Sequence, residues 1–401
     1  MAALGSPHKR LPPTFHVAGT NGKGSTCAFL RALLEAGGER VHQFTSPHLV
    51  RYNERIVLAG AEISDRAFMD VLTRVDEAAG DDELTFFETL TCAGFLAFAE
   101  TPADYLVLEV GLGGRLDATN VIERPAAAVV TAIGLDHQDW LGSDVATIAR
   151  EKAGVFRADA PAVIGAQEPA AMAALVDAAE AANANAWPHG AVWTAHAENG
   201  RLVYQDENGL SDLAAPRLLG AHQFDNAGLA VAATKAAGLR LDDATLSRGI
   251  EGARHPARLQ RLRRGPVVDA LVAADGDEAW LDGGHNPHAA AALARAIGEL
   301  EERSQKPLTL IVGMQKKKDA RGFLAAFAGL AREIVAVKSS SDAAMDPVDI
   351  VSAARSAGVD ATAAEDLGAA MKKARRSADG PTRFLICGSL HLAGDVLKHN
   401  A

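Results

Sequence analysis

At 401 residues the chain exceeds the size at which one hydrophobic core keeps growing, so two domains are expected; 48% hydrophobic and 23% charged residues give a globular rather than a disordered composition. A formal charge of −11 argues against nucleic-acid binding, which needs clustered lysine and arginine, and the scattered Cys27, Cys92 and Cys387 offer neither a disulfide framework nor a zinc site. No apolar run nears the roughly 20 residues that cross a bilayer, and His8, Lys9, Arg10, Pro12 and Pro13 interrupt any leader, so a cytoplasmic location without membrane attachment is expected.

Short apolar runs alternate with amphipathic segments, the pattern of a mostly parallel sheet covered by helices. Strands are predicted at 14–18, 41–45, 105–110, 127–133 and 162–165, and helices at 23–36, 86–100, 144–156, 169–184 and 222–237. Residues 192–213, punctuated by Glu-Asn-Gly at 198–200 and 207–209, break the rhythm and are predicted as antiparallel hairpins. After a basic, irregular stretch at 249–264 a new alternation begins. Its strands fall at 279–281, 308–312, 334–337 and 384–387, with helices from Pro287, Arg321 and Pro347 and near Leu367. The fold class is α/β: an N-terminal, mostly parallel sheet domain with a phosphate loop over 1–252, a linker at 253–259 and a smaller Rossmann-like α/β domain over 260–401.

Between the first strand and the first helix lie Gly19, Thr20, Asn21, Gly22, Lys23, Gly24, Ser25 and Thr26. Glycines let amides converge on phosphates, a helix N-terminus adds positive potential, Lys23 neutralises terminal phosphates, and Ser25 or Thr26 can offer a hydroxyl to magnesium. The spacing departs from GxxxxGK[ST], and the alternative is a plain glycine-rich turn with a surface lysine.

Other candidates follow strand ends, where ligands of α/β sheets collect. Glu109 ends an apolar strand as either a magnesium ligand or a capping carboxylate. His137 follows another strand; since hard cations prefer oxygen, its residue type alone points to a hydrogen-bonded loop histidine. Ser46 and His48, with Arg51 and Arg55, form a loop that either meets substrate carboxylates or is merely solvated and basic. Arg115, Asp117 and Asn120 follow Glu109 as substrate neighbours. By spacing alone Lys152 is a surface lysine, Asn226 a polar helix position and Arg258 a surface cation. Asp282 precedes a strand-turn-helix junction with Pro287 preset for the first turn.

Taken together, GTNGKGS (19–25), TSPHLVRYNERI (45–56), EVGLGGRLDATN (109–120), GLDHQDWLG (134–142), EKAG (151–154), HQFDNAGLA (222–230), HPARLQ (255–260), LDGGHNPHA (281–289) and CGSLHLAG (387–394) resemble, in order, the folylpolyglutamate synthase/dihydrofolate synthase family of the Mur ligase superfamily. The resemblance implies an ATP-dependent ligase that uses magnesium and joins L-glutamate to folate or dihydropteroate through an acyl phosphate. It sets Asn226, Arg258 and Asp282 against ATP, places His285 near the acyl phosphate or incoming glutamate, and makes Lys23, His285 and Lys152 catalytic. It gives Ser25, Ser46, Glu109, His137 and a carbamate on Lys152 to two metal ions, and Ser46, His48, Arg51, Arg55, Arg115 and Asp117 to the substrate. The site is then expected in a cleft between the domains, which closes to exclude water. Lys316, Lys317 and Lys318 are either a solvated loop or an attractor for polyglutamate. Family members usually carry a pterin-binding helix upstream of the phosphate loop, and eighteen residues precede Gly19 here; either the start is truncated or the pterin is held differently. A monomer is the default expectation. The alternatives are a monofunctional folylpolyglutamate synthase, a phosphate-loop ATPase switch without ligase activity, and another Mur-type ligase.

Overall fold

In a computed structural model, which describes residues 1–400, these residues form two compact units: 1–217 with 222–254, and 255–400 with 218–221. The first unit is built on an eight-stranded sheet of β1 (Thr14–Ala18), β2 (Val41–Phe44), β3 (Ile56–Leu58), β4 (Ala61–Glu62), β5 (Tyr105–Glu109), β6 (Ala127–Val130), β7 (Pro161–Ile164) and β8 (Asn185–Pro188), in the order β4-β3-β2-β5-β1-β6-β7-β8. All pairings are parallel except those of β3, which runs antiparallel to both neighbours. β1 lies between β5 and β6 and is buried along its whole length, as a central parallel strand covered on both faces must be.

The covering helices are α1 (Lys23–Ala36), α2 (Asp65–Ala79), α3 (Phe86–Glu100), α4 (Gln138–Leu141), α5 (Val145–Ala153), α6 (Pro169–Ala181), α7 (Ala221–Ala236) and α8 (Asp243–Gly252). One core joins α2 and α3 to the sheet through Phe68, Phe95, Phe98, Leu106 and Leu108; another joins α5 and α6 to it through Ile148, Val130, Ile164 and Leu175. α1 stops where Gly37 and Gly38 were expected to end it, Gly38 having φ +93. Residues 192–213 form the antiparallel sheet β9 (Trp193–Glu198), β10 (Arg201–Asp206) and β11 (Gly209–Leu213).

Three differences from the expected elements have local causes. The strand predicted over 127–133 ends at Val130, because the carbonyls beyond it bond the phosphate loop instead of a neighbouring strand. The helix predicted over 144–156 ends at Ala153, where Gly154 lets the chain at Arg115 approach closely. α2 was not predicted, although Ser64 caps it through Ala67 N and its buried face repeats at Phe68, Val71 and Val75.

The second unit has a six-stranded sheet ordered β12-β13-β17-β14-β15-β16, parallel except for β12. Its strands are β12 (Gln260–Leu262), β13 (Glu278–Leu281), β14 (Leu308–Val312), β15 (Ala331–Ala336), β16 (Ala361–Ala363) and β17 (Arg383–Cys387). Leu293, Ile297, Leu310, Phe323, Phe327 and Leu385 centre its core. No helix among the described residues is long and apolar enough to cross a membrane.

Candidate active site

Two neighbouring strands end together to make the phosphate loop. The amides of Thr20 and Asn21 donate to Ala132 O at 3.0 and 3.1 Å, the Thr20 hydroxyl to Gly134 O at 3.1 Å, and the Thr131 hydroxyl to Asn21 O at 2.7 Å. The Gln167 amide braces residues 131–133, donating to Thr131 O and accepting from Ile133 N, both at 2.9 Å. Sequence reasoning did not single out Thr131 or Gln167. Gly19 has φ +144, and a Cβ there would lie 1.9 Å from Thr131 Oγ1; Gly22 has φ +92, and a Cβ there would lie 2.4 Å from Asn226 Oδ1. Asn226, buried on α7, therefore lies directly against the loop and donates to Gln223 Oε1 at 3.1 Å.

Gly22 supplies no side-chain cap to α1, so the first-turn amides of Lys23, Gly24 and Ser25 have no intrahelical acceptor. Thr26 Oγ1 is buried and without a hydrogen-bond partner, and Ser25 beside it is buried too. Lys23 Nζ folds over the loop to Gly19 O and Thr20 O at 3.2 and 3.3 Å. Uncapped amides, an orphaned hydroxyl and two positions closed to a Cβ fit a chain of phosphates.

Lys152 is 4% exposed, which corrects the surface position that spacing alone suggested. It is buried because glycines let two segments meet: a Cβ on Gly114 would lie 2.7 Å from Lys152 O, and one on Gly154 would lie 2.4 Å from Arg115 Cα. Its Nζ donates to Gly19 O at 2.8 Å. Burial first, and the nearby Lys23 second, push the ammonium down to about 7, with Asp136 and Asp117 opposing them.

In the same loop, Arg115 pairs with Glu151 at 3.0 Å. Asp117, expected beside a substrate, has both carboxylate oxygens engaged by its own loop, one by Leu112 N at 2.8 Å and the other by Thr119 N at 2.9 Å and Thr119 Oγ1 at 2.5 Å. Asn120 donates to Arg115 O and Gly154 O at 3.0 and 2.9 Å and accepts from Arg157 at 2.6 Å.

Glu109 is buried at the end of β5, opposite Val17 of β1, and accepts from Ser46 N at 3.1 Å. In the loop after β2, Arg55 is buried, donates to His48 Nδ1 at 3.0 Å and lies 5.5 Å above the Phe86 ring. Burial lowers the pKa of its guanidinium, with Glu109 opposing. His48 therefore accepts at Nδ1, and its ring lies 4.4 Å from that of Tyr52. Arg51 already holds a carboxylate, that of Asp65 at 2.6 Å, and Glu54, which sequence reasoning missed, accepts from the amides of Leu49, Val50 and Arg51. His137 adopts φ +51 at the start of α4, its amide on Asp136 Oδ1 at 2.9 Å.

Among the described residues, no three His, Cys, Asp or Glu side chains gather as a metal cluster. The predicted donor set is mixed, with hydroxyls on Ser25 and Ser46, the Glu109 carboxylate and the His137 imidazole; its oxygen content suits a hard divalent cation.

In the second unit Asp282 accepts from Leu259 N at 2.7 Å and Gly284 N at 2.6 Å, His285 Nδ1 lies 2.9 Å from Gly283 O, and Arg258 Nη1 donates to Ala257 O at 2.9 Å. Asn286 caps the helix Pro287–Arg303 by accepting from Ala289 N at 2.8 Å. Lys316 and Lys317 are exposed and Lys318 is half-buried.

Known proteins match both units. The profile of the Mur ligase middle domain matches residues 17–234, and that of the dihydrofolate synthetase C-terminal domain matches 272–399. The dihydrofolate synthase/folylpolyglutamate synthase of Escherichia coli (strain K12) is 38% identical over 318 residues, 79% of this chain and 71% of that one. The chain belongs to the dihydrofolate synthase/folylpolyglutamate synthase family. The Mycobacterium tuberculosis member is 37% identical over 377 residues, 86% of this chain and 74% of that one. E. coli FolC in complex with DHPP and ADP superposes with a TM-score of 0.89 at 33% identity, covering 99% of this chain and 90% of that one. A bifunctional folylpolyglutamate synthase/dihydrofolate synthase with Mn, AMPPNP and L-glutamate bound gives 0.86 at 32% identity, covering 99% of this chain and 93% of that one. The α/β, Mur-type fold expected from the sequence is therefore the fold of this family.

Proposed function

We propose that the chain is an ATP-dependent ligase that forms an amide between a folate carboxyl group and L-glutamate, both on tetrahydrofolate and on dihydropteroate. The carrying observation is the phosphate loop, uncapped and closed onto buried Lys152, in a chain that belongs to this family. The loop amides and Lys23 hold the terminal phosphates of ATP while a substrate carboxylate oxygen attacks the γ-phosphorus and ADP leaves. The glutamate amino group then attacks the acyl carbon, loses a proton and expels phosphate, which keeps the carboxylate oxygen. Arg55 and His48 receive substrate carboxylates, with Arg51 joining them on release of Asp65; Arg258 and Asp282 serve the nucleotide, and His285 the incoming amine.

Two magnesium ions are part of the reading. Ser25, Ser46, Glu109 and His137 would hold them, and magnesium, when bound, offsets charge on the phosphates. Lys152 would complete the set as a carbamate: its neutral amine would add to carbon dioxide, forming one C–N bond and releasing one proton, and so supply an anionic oxygen of the kind magnesium prefers. A pKa of about 7 keeps a large share of that amine neutral. The reading includes a monomer in a reducing cytoplasm, where Cys27, Cys92 and Cys387 stay free.

Phosphate release measured with and without tetrahydrofolate, dihydropteroate and glutamate tests it. Release is expected only with glutamate and either pterin substrate. Activity with tetrahydrofolate alone would make the enzyme monofunctional, and steady release without glutamate would replace the ligase with an ATPase.

A further inference from the structure

A buried hydrogen-bond chain, unused by the ligation chemistry, joins β1 to the loop after β5. His16, on β1 and 1% exposed, has its Nε2 3.0 Å from Thr119 Oγ1, and fully buried Thr119 donates that hydroxyl to Asp117 Oδ1 at 2.5 Å. A hydroxyl carries one hydrogen. With that hydrogen on Asp117, Thr119 Oγ1 is an acceptor toward His16, so the imidazole carries its proton on Nε2. A neutral ring agrees with the surroundings: burial, and then Arg157, push the pKa of His16 down to about 3.

The chain continues through Asp117 to Leu112 N, while at the other end of the loop Asn120 bonds Gly154 O, two residues past Lys152. One short loop is thus tied both to the strand that runs into Gly19 and to the turn that carries the Gly19 contact. A hydrocarbon side chain would fill the His16 position without burying a polar group, which is costly unless paired.

We propose that His16 is a positioning residue: as an Nε2–H donor it fixes the Thr119–Asp117 pair, and through that pair it sets the 112–120 loop against the Lys152 turn. The kinetic part of this inference rests on the ligase reading; the tautomer does not.

Nitrogen-15 histidine correlation spectra are expected to give an Nε2–H tautomer for His16 that persists unprotonated at pH 5. His16→Leu should lower kcat about tenfold, the equivalent of one buried hydrogen bond, with the KM for ATP within about twofold of the parent. His16→Gln, whose amide can donate from a similar reach, should restore most of the loss. An Nδ1–H tautomer, or a His16→Leu enzyme with a lower Tm and undiminished kcat, overturns the proposal. If His16→Leu does not fold, Thr119→Val and Thr119→Ser decide: impaired valine and active serine variants support it, and equal activities overturn it. A parent enzyme without glutamate-dependent turnover would sink the ligase reading instead, leaving the tautomer to decide the donor.

Discussion

In the first unit the turn from β1 into α1 leaves its helix uncapped, with Gly22 at the cap and Thr26 Oγ1 buried without a partner. In the second unit the turn from β13 into the helix Pro287–Arg303 is completed from within: Asn286 caps the helix, and Asp282 takes the amides of Leu259 and Gly284. Both are strand-to-helix turns rich in glycine. One needs an anion to finish its hydrogen bonding, whereas the helix of the other is already capped by Asn286, so loss of Lys23 in the first should cost activity and loss of the Asn286 cap in the second should cost stability.

The largest expected effect is at Lys23. Lys23→Ala should lower kcat by roughly two to three orders of magnitude, as removal of one preorganised electrostatic donor does, with Tm unchanged; turnover equal to the parent would break the comparison at its first arm. Glu109→Gln keeps the shape and removes the charge, and should raise the magnesium needed for half-maximal rate by roughly tenfold. Overlaying magnesium titrations would make Glu109 a structural carboxylate, satisfied by Ser46 N.

Lys152 adds a pH-dependent test. Its folded pKa of about 7 lies below the ordinary 10.5, so between these values the unfolded chain binds the proton and the folded chain does not. Stability should rise with pH across that window, and the cost of the buried amine is complete below about pH 7. In carbon-dioxide-free buffer Lys152→Met should therefore raise Tm most at or below pH 7, the gain vanishing near pH 10.5; a gain independent of pH would mean the amine is not desolvated. Lys152→Ala should also lose ligation and recover part of it with acetate or formate, and full activity without additive would dispose of the carbamate. The smallest effect belongs to the second turn. Asn286→Ala should cost about 1 kcal/mol of stability, a typical N-cap loss, read as a shift in denaturation midpoint with the KM for ATP unchanged.

Where the sequence was readable, the signal was local. Gly19, Gly22 and Lys23 sit between an apolar run and an amphipathic one, and that order alone placed the loop. α2 carried an equally local signal in Ser64, Phe68, Val71 and Val75, and the same rules would have found it. The short strands β8, β12 and β16 carried none, since three or four residues cannot distinguish a strand from a loop. The roles proposed for Asn226 and Asp282 come only from resemblance; the structure adds that Gly22 must lack a Cβ because Asn226 occupies its place.

The alternation of strands and helices and the glycine-rich turn were determined by the sequence itself, because periodicity and backbone freedom depend on neighbours along the chain. Only the tertiary structure decided that Lys152 is buried against Gly19, 133 positions away, and that His16 meets Thr119 across 103. A charge is desolvated, and a proton assigned to one nitrogen rather than the other, by groups packed from distant segments, and nothing in the residues beside Lys152 or His16 carries that information.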